Sequence, residues 1–212
     1  MAVINAAPPR RPNRRGDGAR LRDEIVRAAT GLAEENSDLS GITLRAVARR
    51  AGITAPSIYA HFGNLEDVID AVIASTFEDL VRSLEHHLHG HTEPIARLRA
   101  LCHGYVSFGS GNPRLYRLLF GPDRPQPSPL TTKSIDSMPG AKAFNMLVGS
   151  IHACIEAAQS SSTDPQRDAI ALWAALHGYV GLLAGTPEFP WPPQDAVVDQ
   201  FVNRLAYLTP QT

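Results

Sequence analysis

The sequence predicts an all-α fold, and three observations predict it. Apolar residues recur at three- and four-residue spacing through most of the chain. No run of alternating apolar and polar residues is long enough for a strand. Proline, glycine and capping residues fall where the helical spacing starts and stops. A length of 212 residues holds one sizeable core, or a small module joined to a larger domain, and excludes a large multidomain enzyme. With 43% hydrophobic and 19% charged residues the balance is that of a globular chain. No segment reaches the roughly 18 uninterrupted apolar residues of a membrane span. The first residues lack the order of a secretory signal, and Cys102 and Cys154 give no disulfide framework. The expectation is a soluble, cytoplasmic protein with no membrane partner.

Residues 1–18 carry Arg10, Arg11, Arg14 and Arg15 among Pro, Asn and Gly with no apolar period, which predicts a flexible basic arm. Leu21, Ile25, Ala28, Ala29, Leu32 and Ala33 form one face of a first helix. Thr43 is placed to cap a short second helix with Leu44, Val47 and Ala48 facing inward, ending at Gly52. Thr54 is placed to cap a third of barely two turns, with Pro56 in its first turn and Gly63 at its end. Asn64 and Asp67 start a fourth helix as a capping-box-like pair, and its apolar stripe runs from Leu65 to Leu84. Pro94 opens a fifth helix, and Asn112 with Pro113 a short sixth. Residues 121–139, with five prolines, read as a loop. Ala141 to Gln159, Asp168 to Ala184 (launched by Asp164 and Pro165, closed by Gly185) and Gln194 to Leu208 are the remaining helices.

The charge is unevenly spread. Residues 1–60 hold ten arginines against six acids, and the rest of the chain ten basic residues against fifteen acids, although the whole carries only −1. Positive charge at one end points to a polyanion there and to another task elsewhere. The second and third helices, joined by Ala51-Gly52-Ile53, have the length and glycine placement of a helix-turn-helix, with Val47, Ile53 and Ile58 burying the inner faces. Outward on the third helix stand Thr54, Ala55, Ser57, Tyr59 and His61. Small polar groups near its start suit base edges, and Tyr59 and His61 suit phosphates. The candidate DNA-binding residues are therefore Thr43, Arg45, Thr54, Ala55, Pro56, Ser57, Tyr59 and His61.

The stretch from Ile42 to Asn64, ITLRAVARRAGITAPSIYAHFGN, preceded by Ile25-Val26-Arg27-Ala28-Ala29, closely resembles the DNA-binding domain of TetR-type transcriptional regulators over residues 20–80. The resemblance implies an all-helical homodimer with a three-helix DNA-binding domain over residues 19–80. It also implies an effector-binding and dimerisation domain over residues 81–212. One departure stands out: where the family commonly places a phosphate-binding lysine just inside the fourth helix, this chain has Leu65. Trp173-Ala174-Ala175-Leu176-His177-Gly178 is similar to a Trp-x-x-x-His-Gly signature found in a TetR subgroup. Packing in the core or in a dimer and a ligand-wall role for His177 are both compatible with it.

Leu101, Tyr105, Phe108, Phe144, Leu147, Ile151, Trp173 and Leu176 would form a mainly apolar effector pocket with His103, His152 and His177 as polar handles, or would simply fill a core. No metal site and no cofactor are expected. The run His86-His87-Leu88-His89-Gly90-His91 lacks accompanying cysteines or carboxylates, and Cys102-His103 and His152-Ala153-Cys154 read as core residues. No nucleophile elbow, phosphate loop or dinucleotide fingerprint occurs, so no enzyme is expected. The function expected is a repressor released from a palindromic operator by a small hydrophobic effector. An all-helical enzyme and an effector-free DNA-binding module are the competing classes.

Overall fold

The computed structural model describes residues 18–35, 41–121 and 138–209. Among the described residues every regular element is a helix: α1 (Gly18–Glu35), α2 (Leu44–Ala51), α3 (Ala55–Ile58), α4 (Leu65–Leu88), α5 (Pro94–Gly111), α6 (Pro113–Phe120), α7 (Ala141–Glu156), α8 (Pro165–Gly185) and α9 (Gln194–Leu205). The basic arm and nearly all of the proline-rich loop lie outside the described residues. The chain divides into two compact units between Val72 and Ile73, within α4, whereas the sequence places a domain boundary after residue 80. The apolar stripe of α4 is continuous across both positions, so hydropathy carries no mark of the division.

In the first unit, Ile25 and Ala29 of α1, Val47 of α2, Ile58 of α3 and Val68 of α4 are completely buried. Burial of each Ile or Val is worth about 1.5–3 kcal/mol. Thr43 caps α2, its Oγ1 accepting from Ala46 N at 3.1 Å, and Gly52 ends it with φ 66°, a left-handed conformation that glycine adopts without steric cost. Asn64 Oδ1 accepts from Asp67 N at 2.8 Å, and Asp67 Oδ2 accepts from Gly63 N at 2.8 Å, so the start of α4 is doubly capped. Two expectations need correction. α3 is one turn long, ending at Ile58 rather than near Gly63, although Phe62 N still donates to Ile58 O. Thr54 makes no side-chain cap; its Oγ1 lies 2.9 Å from Ser57 Oγ, and the two hydroxyls satisfy each other.

In the second unit, α5 packs against α6, α7, α8 and α9. Glu93 caps α5 by accepting from Ile95 N and Ala96 N, and the bond from Ala96 leads in holding its carboxyl below the ordinary range. Asp164 caps α8 through Arg167 N at 3.0 Å. Asp168 is buried and accepts from the Ser162 hydroxyl at 2.6 Å. Three helix ends differ from expectation. α7 stops at Glu156 because Ala158 turns the chain with φ 57°, and α9 stops at Leu205 because Tyr207 does so with φ 50°. Gly185 lies inside α8, which Thr186 caps instead. α8 is, among the described residues, the one helix whose length and mean hydropathy of 1.3 match a membrane span. It buries Ala169, Leu172, Leu176, Tyr179 and Val180 in the unit and leaves Ala171, Ala174, Gly178, Gly181 and Leu182 exposed.

Candidate functional site

The helix-turn-helix presents a polar surface because α2 and α3 bury the opposite one. Thr43, Arg45, Thr54, Pro56 and Tyr59 are exposed, while Ala55, Ser57 and His61 are half-buried. Tyr59, at 60% exposure, is the one exposed large apolar side chain of this unit among the described residues and follows α3 directly as its C-cap. His61 lies in the turn beyond, beside the start of α1: a Cβ on Gly18 would stand 3.8 Å from the imidazole Cε1. Ile53, expected in the core, is only half-buried. Arg50 pairs with Glu35 at 2.6 Å and lies across Gly31, so its charge is balanced within the unit. Arg45 and Arg49 make no ion pair among the described residues and supply the local positive charge.

The second unit holds a partly open cavity of about 300 Å³, with Met138, Ile170 and Trp173 exposed at its rim. Its walls are Phe77, Leu80 and Leu84 of α4, Leu101, Cys102 and Tyr105 of α5, Phe120 of α6, the turn Met138-Pro139-Gly140, Ala141, Ala143, Phe144 and Leu147 of α7, and Ile170, Trp173 and Leu176 of α8. Among the described residues no carboxylate, imidazole or cationic side chain lines it. Burial pushes the Cys102 thiol up, so it stays protonated.

A chain of four polar side chains begins on this wall. Trp173 Nε1 donates to the Tyr105 hydroxyl at 3.0 Å, the Tyr105 and Tyr116 hydroxyls lie 2.8 Å apart, and the Tyr116 hydroxyl lies 2.6 Å from His177 Nδ1. Burial pushes the Tyr105 phenol up to about 12 and the Tyr116 phenol higher, and burial also depresses the His177 imidazole. Both phenols are therefore protonated and the imidazole neutral at pH 7. An indole N–H only donates, so the direction is fixed at that end, while either phenol of the Tyr105 and Tyr116 pair can be the donor and the His177 imidazole takes the matching tautomer.

Of the residues named from sequence for an effector pocket, Leu101, Tyr105, Phe144, Leu147, Trp173 and Leu176 are brought together on the cavity wall. The others stand elsewhere. His103 points to α9, with Nε2 3.1 Å from Asp199 Oδ1 and Nδ1 3.5 Å from Asp195 Oδ1. His152 is exposed on α7, 3.5 Å from Glu156. Phe108 and Ile151 are buried away from the lining, and His177 is one residue removed, behind Tyr116. Phe77, Leu80, Leu84 and Phe120 are the largest of the walls that sequence reasoning missed, along with Cys102, Met138 and Ile170. The length of the α4 stripe, ten apolar or small positions from Leu65 to Leu84, was the available signal. Among the described residues no group of three or more His, Cys, Asp or Glu side chains is placed to hold a metal. His87 instead packs on Gly104 and reaches Ser83 O at 2.8 Å.

A helix-turn-helix with an open polar face, followed by a helical unit with an apolar cavity, is the architecture of a DNA-binding regulator. Residues 25–72 match the family of bacterial regulatory proteins called tetR, and residues 98–206 match the tetracyclin repressor-like C-terminal domain. The chain belongs to the TetR family and is a DNA-binding transcriptional regulator.

An HTH-type transcriptional regulator of Mycobacterium tuberculosis, Rv0681, is 30% identical over 190 residues, 87% of this chain and 79% of that protein. The nucleoid occlusion factor SlmA of Aliivibrio fischeri is 27% identical over 115 residues. The chain spans about half the length of that relative, 55%, with 54% of its own. A solved structure of a protein of unknown function from Rhodococcus sp. RHA1 superposes with a TM-score of 0.73 at 25% identity, covering 88% of this chain and 93% of that one.

Proposed function

We propose that this regulator is a cytoplasmic, homodimeric repressor that holds a palindromic double-stranded operator through two copies of α3. A small hydrophobic effector bound in the cavity releases it. The observation that carries this reading is the cavity itself: about 300 Å³ of space with almost wholly apolar walls, the size and lining of a small-molecule site. α4 is common to both units, contributing Val68 and Val72 to one core and Phe77, Leu80 and Leu84 to the cavity wall of the other. An effector that fits the cavity in one conformer only shifts the population toward it and changes DNA affinity by the same free energy. The dimer is supported by α8, whose exposed face carries Ile170 and Leu182 among small residues. Water-facing apolar surface of that extent marks an interface, and a two-fold bundle of α8 and α9 would cover it. The Trp-x-x-x-His-Gly residues act in this reading through Trp173 on the wall and His177 behind it.

Footprinting on the DNA flanking its own gene tests the reading. Protection of two half-sites separated by about one helical turn, abolished when a compound that raises the melting temperature is added, supports it. A compound that raises the melting temperature while the footprint stays intact overturns effector release, and uniform protection without half-sites overturns the palindromic operator.

A further inference from the structure

A chain that leaves a helix lying in the major groove must climb over the groove's phosphate rim, so the turn from His61 to Asn64 is the part of this unit that meets the rim after α3. The start of α4 offers that rim no cation. Its exposed charges are Glu66, Asp67 and Asp70, and Asp67 already accepts from the Gly63 amide at 2.8 Å. α1 runs beside the same turn. Gly18 lies next to His61, and one helical turn further on, the Arg22 guanidinium carbon stands 5.0 Å from the centroid of the Phe62 ring. Of the three arginines of α1, Arg20 pairs with Glu24 at 3.1 Å and Arg27 Nε donates to Asp23 O. Arg22 is exposed and makes no ion pair among the described residues. Phe62 is only 4% exposed and so is fixed by the core. Stacking on a ring face uses none of the five N–H donors of a guanidinium, which leaves the fork held in place with its hydrogen-bonding edges free.

We propose that Arg22 is a phosphate clamp of the DNA interface, binding one backbone phosphate per protomer through both prongs of its guanidinium, and that Phe62 is the positioning residue that holds it at the turn after α3. This rests on α3 being the helix that enters the groove. A guanidinium fork matches phosphate geometry bidentately, and a fork already placed by a fixed ring loses little freedom on binding. The contact is to the backbone, so it strengthens binding to every sequence alike.

The test uses the full-length protein and a labelled pool of random-sequence duplexes of about three helical turns, with affinity read by fluorescence anisotropy between roughly 50 and 200 mM salt. Arg22→Gln is expected to bind about tenfold more weakly and to flatten the slope of log affinity against log salt by about 0.9 for each protomer in contact, with its melting temperature unchanged. Arg22→Lys keeps the charge and loses the fork, so it is expected to keep the slope and bind severalfold more weakly. Leu65→Lys added to Arg22→Gln sets a new cation at the start of α4, beside the same turn, and is expected to restore the slope. An Arg22→Gln protein with the wild-type slope overturns the clamp, whatever its affinity. An Arg22→Lys protein that binds as tightly as wild type overturns the bidentate contact and the role of Phe62. A slope that stays flat in the folded double variant overturns the placement of the phosphate at this turn; if circular dichroism shows that the double variant does not fold, the two Arg22 variants decide the matter. Wild-type protein that leaves the pool unbound overturns the groove reading of α3 and the clamp together.

Discussion

Gly140 lies flat against the ring of Phe77: a Cβ at position 140 would stand 2.6 Å from the phenyl Cε1 and 3.0 Å from Cδ1. The approach holds the first turn of α7 on α4, and the ring is fixed from another side by an edge-to-face contact with Phe120 at 5.7 Å. Gly140 also has φ 91°, so a side chain there meets both a steric and a backbone penalty. Gly140→Ala is expected to destabilise the protein by about 2–4 kcal/mol, combining overpacking with the left-handed backbone. Adding Phe77→Leu is expected to recover the steric share and leave the backbone share. Urea denaturation of the two single variants and the double variant measures the coupling; strict additivity would contradict the close approach.

At the DNA face, Tyr59→Phe is expected to weaken binding to all sequences alike, by about 1.5 kcal/mol or roughly tenfold, if its hydroxyl meets a phosphate. Ser57→Ala is expected to change base preference within the half-site while leaving non-specific affinity nearly constant. Competition binding on randomised operators separates the two. An equal loss on every sequence for the Ser57 variant would contradict its role as a reader.

Deleting residues 1–16 removes four arginines. The expected result is weaker operator binding and a flatter plot of log affinity against log salt, by about 0.9 for each phosphate that the arm neutralises in the intact protein. With Arg50 occupied by Glu35, the helix-turn-helix retains few cations to compensate, and Leu65 stands where the family commonly has lysine. An unchanged slope would assign the phosphates to Arg22, Arg45, Arg49 and backbone amides.

Among the described residues, nothing beyond the backbone of its own helix lies within 4 Å of a Cβ built on Gly181. Gly181→Leu is therefore expected to leave the protomer's melting temperature unchanged or slightly raised, since leucine favours a helix by about 1 kcal/mol over glycine. If this face of α8 crosses its counterpart, the same change should weaken the dimer at least tenfold. Light scattering across a dilution series reads both states, and an intact dimer would move the interface elsewhere.

Burial holds the His177 imidazole below its usual pKa. Below about pH 6.5 the unfolded chain takes up a proton that the folded chain refuses, so this residue's contribution is complete above that pH and is lost as pH falls through the folded value. His177→Gln, which retains a hydrogen-bond partner for Tyr116, is expected to show a shallower fall in melting temperature between about pH 7 and 5. Parallel curves for the two proteins would contradict the shift.

Helix order and most helix starts were legible in the sequence because caps are local: Thr43, Asn64 with Asp67, Asp164, and prolines in first turns all act within four residues. Helix ends at Glu156 and Leu205 were not, because Ala158 and Tyr207 adopt positive φ without being the glycine or asparagine that would announce it. For the cavity, helical spacing identified α5, α7 and α8 as apolar but could not tell which side of each looks inward. His103 and His152 share helices with true wall residues and differ from them only in azimuth, which tertiary packing decides. The α4 walls and Phe120 required knowing which helices are neighbours.

A recognition element as brief as α3 limits how much information one protomer can extract from DNA. One turn of helix and the residues flanking it offer two or three side chains to the bases. If these fix about four base pairs, the pattern recurs by chance about once in every few hundred. Against the roughly 10⁶ or more competing sites of a genome, a single copy would be spread over thousands of near-equivalent addresses. Selectivity of a useful order arises only when two copies read together at fixed separation, since the odds then multiply. The spacing between half-sites thus becomes as much a part of the address as the bases themselves.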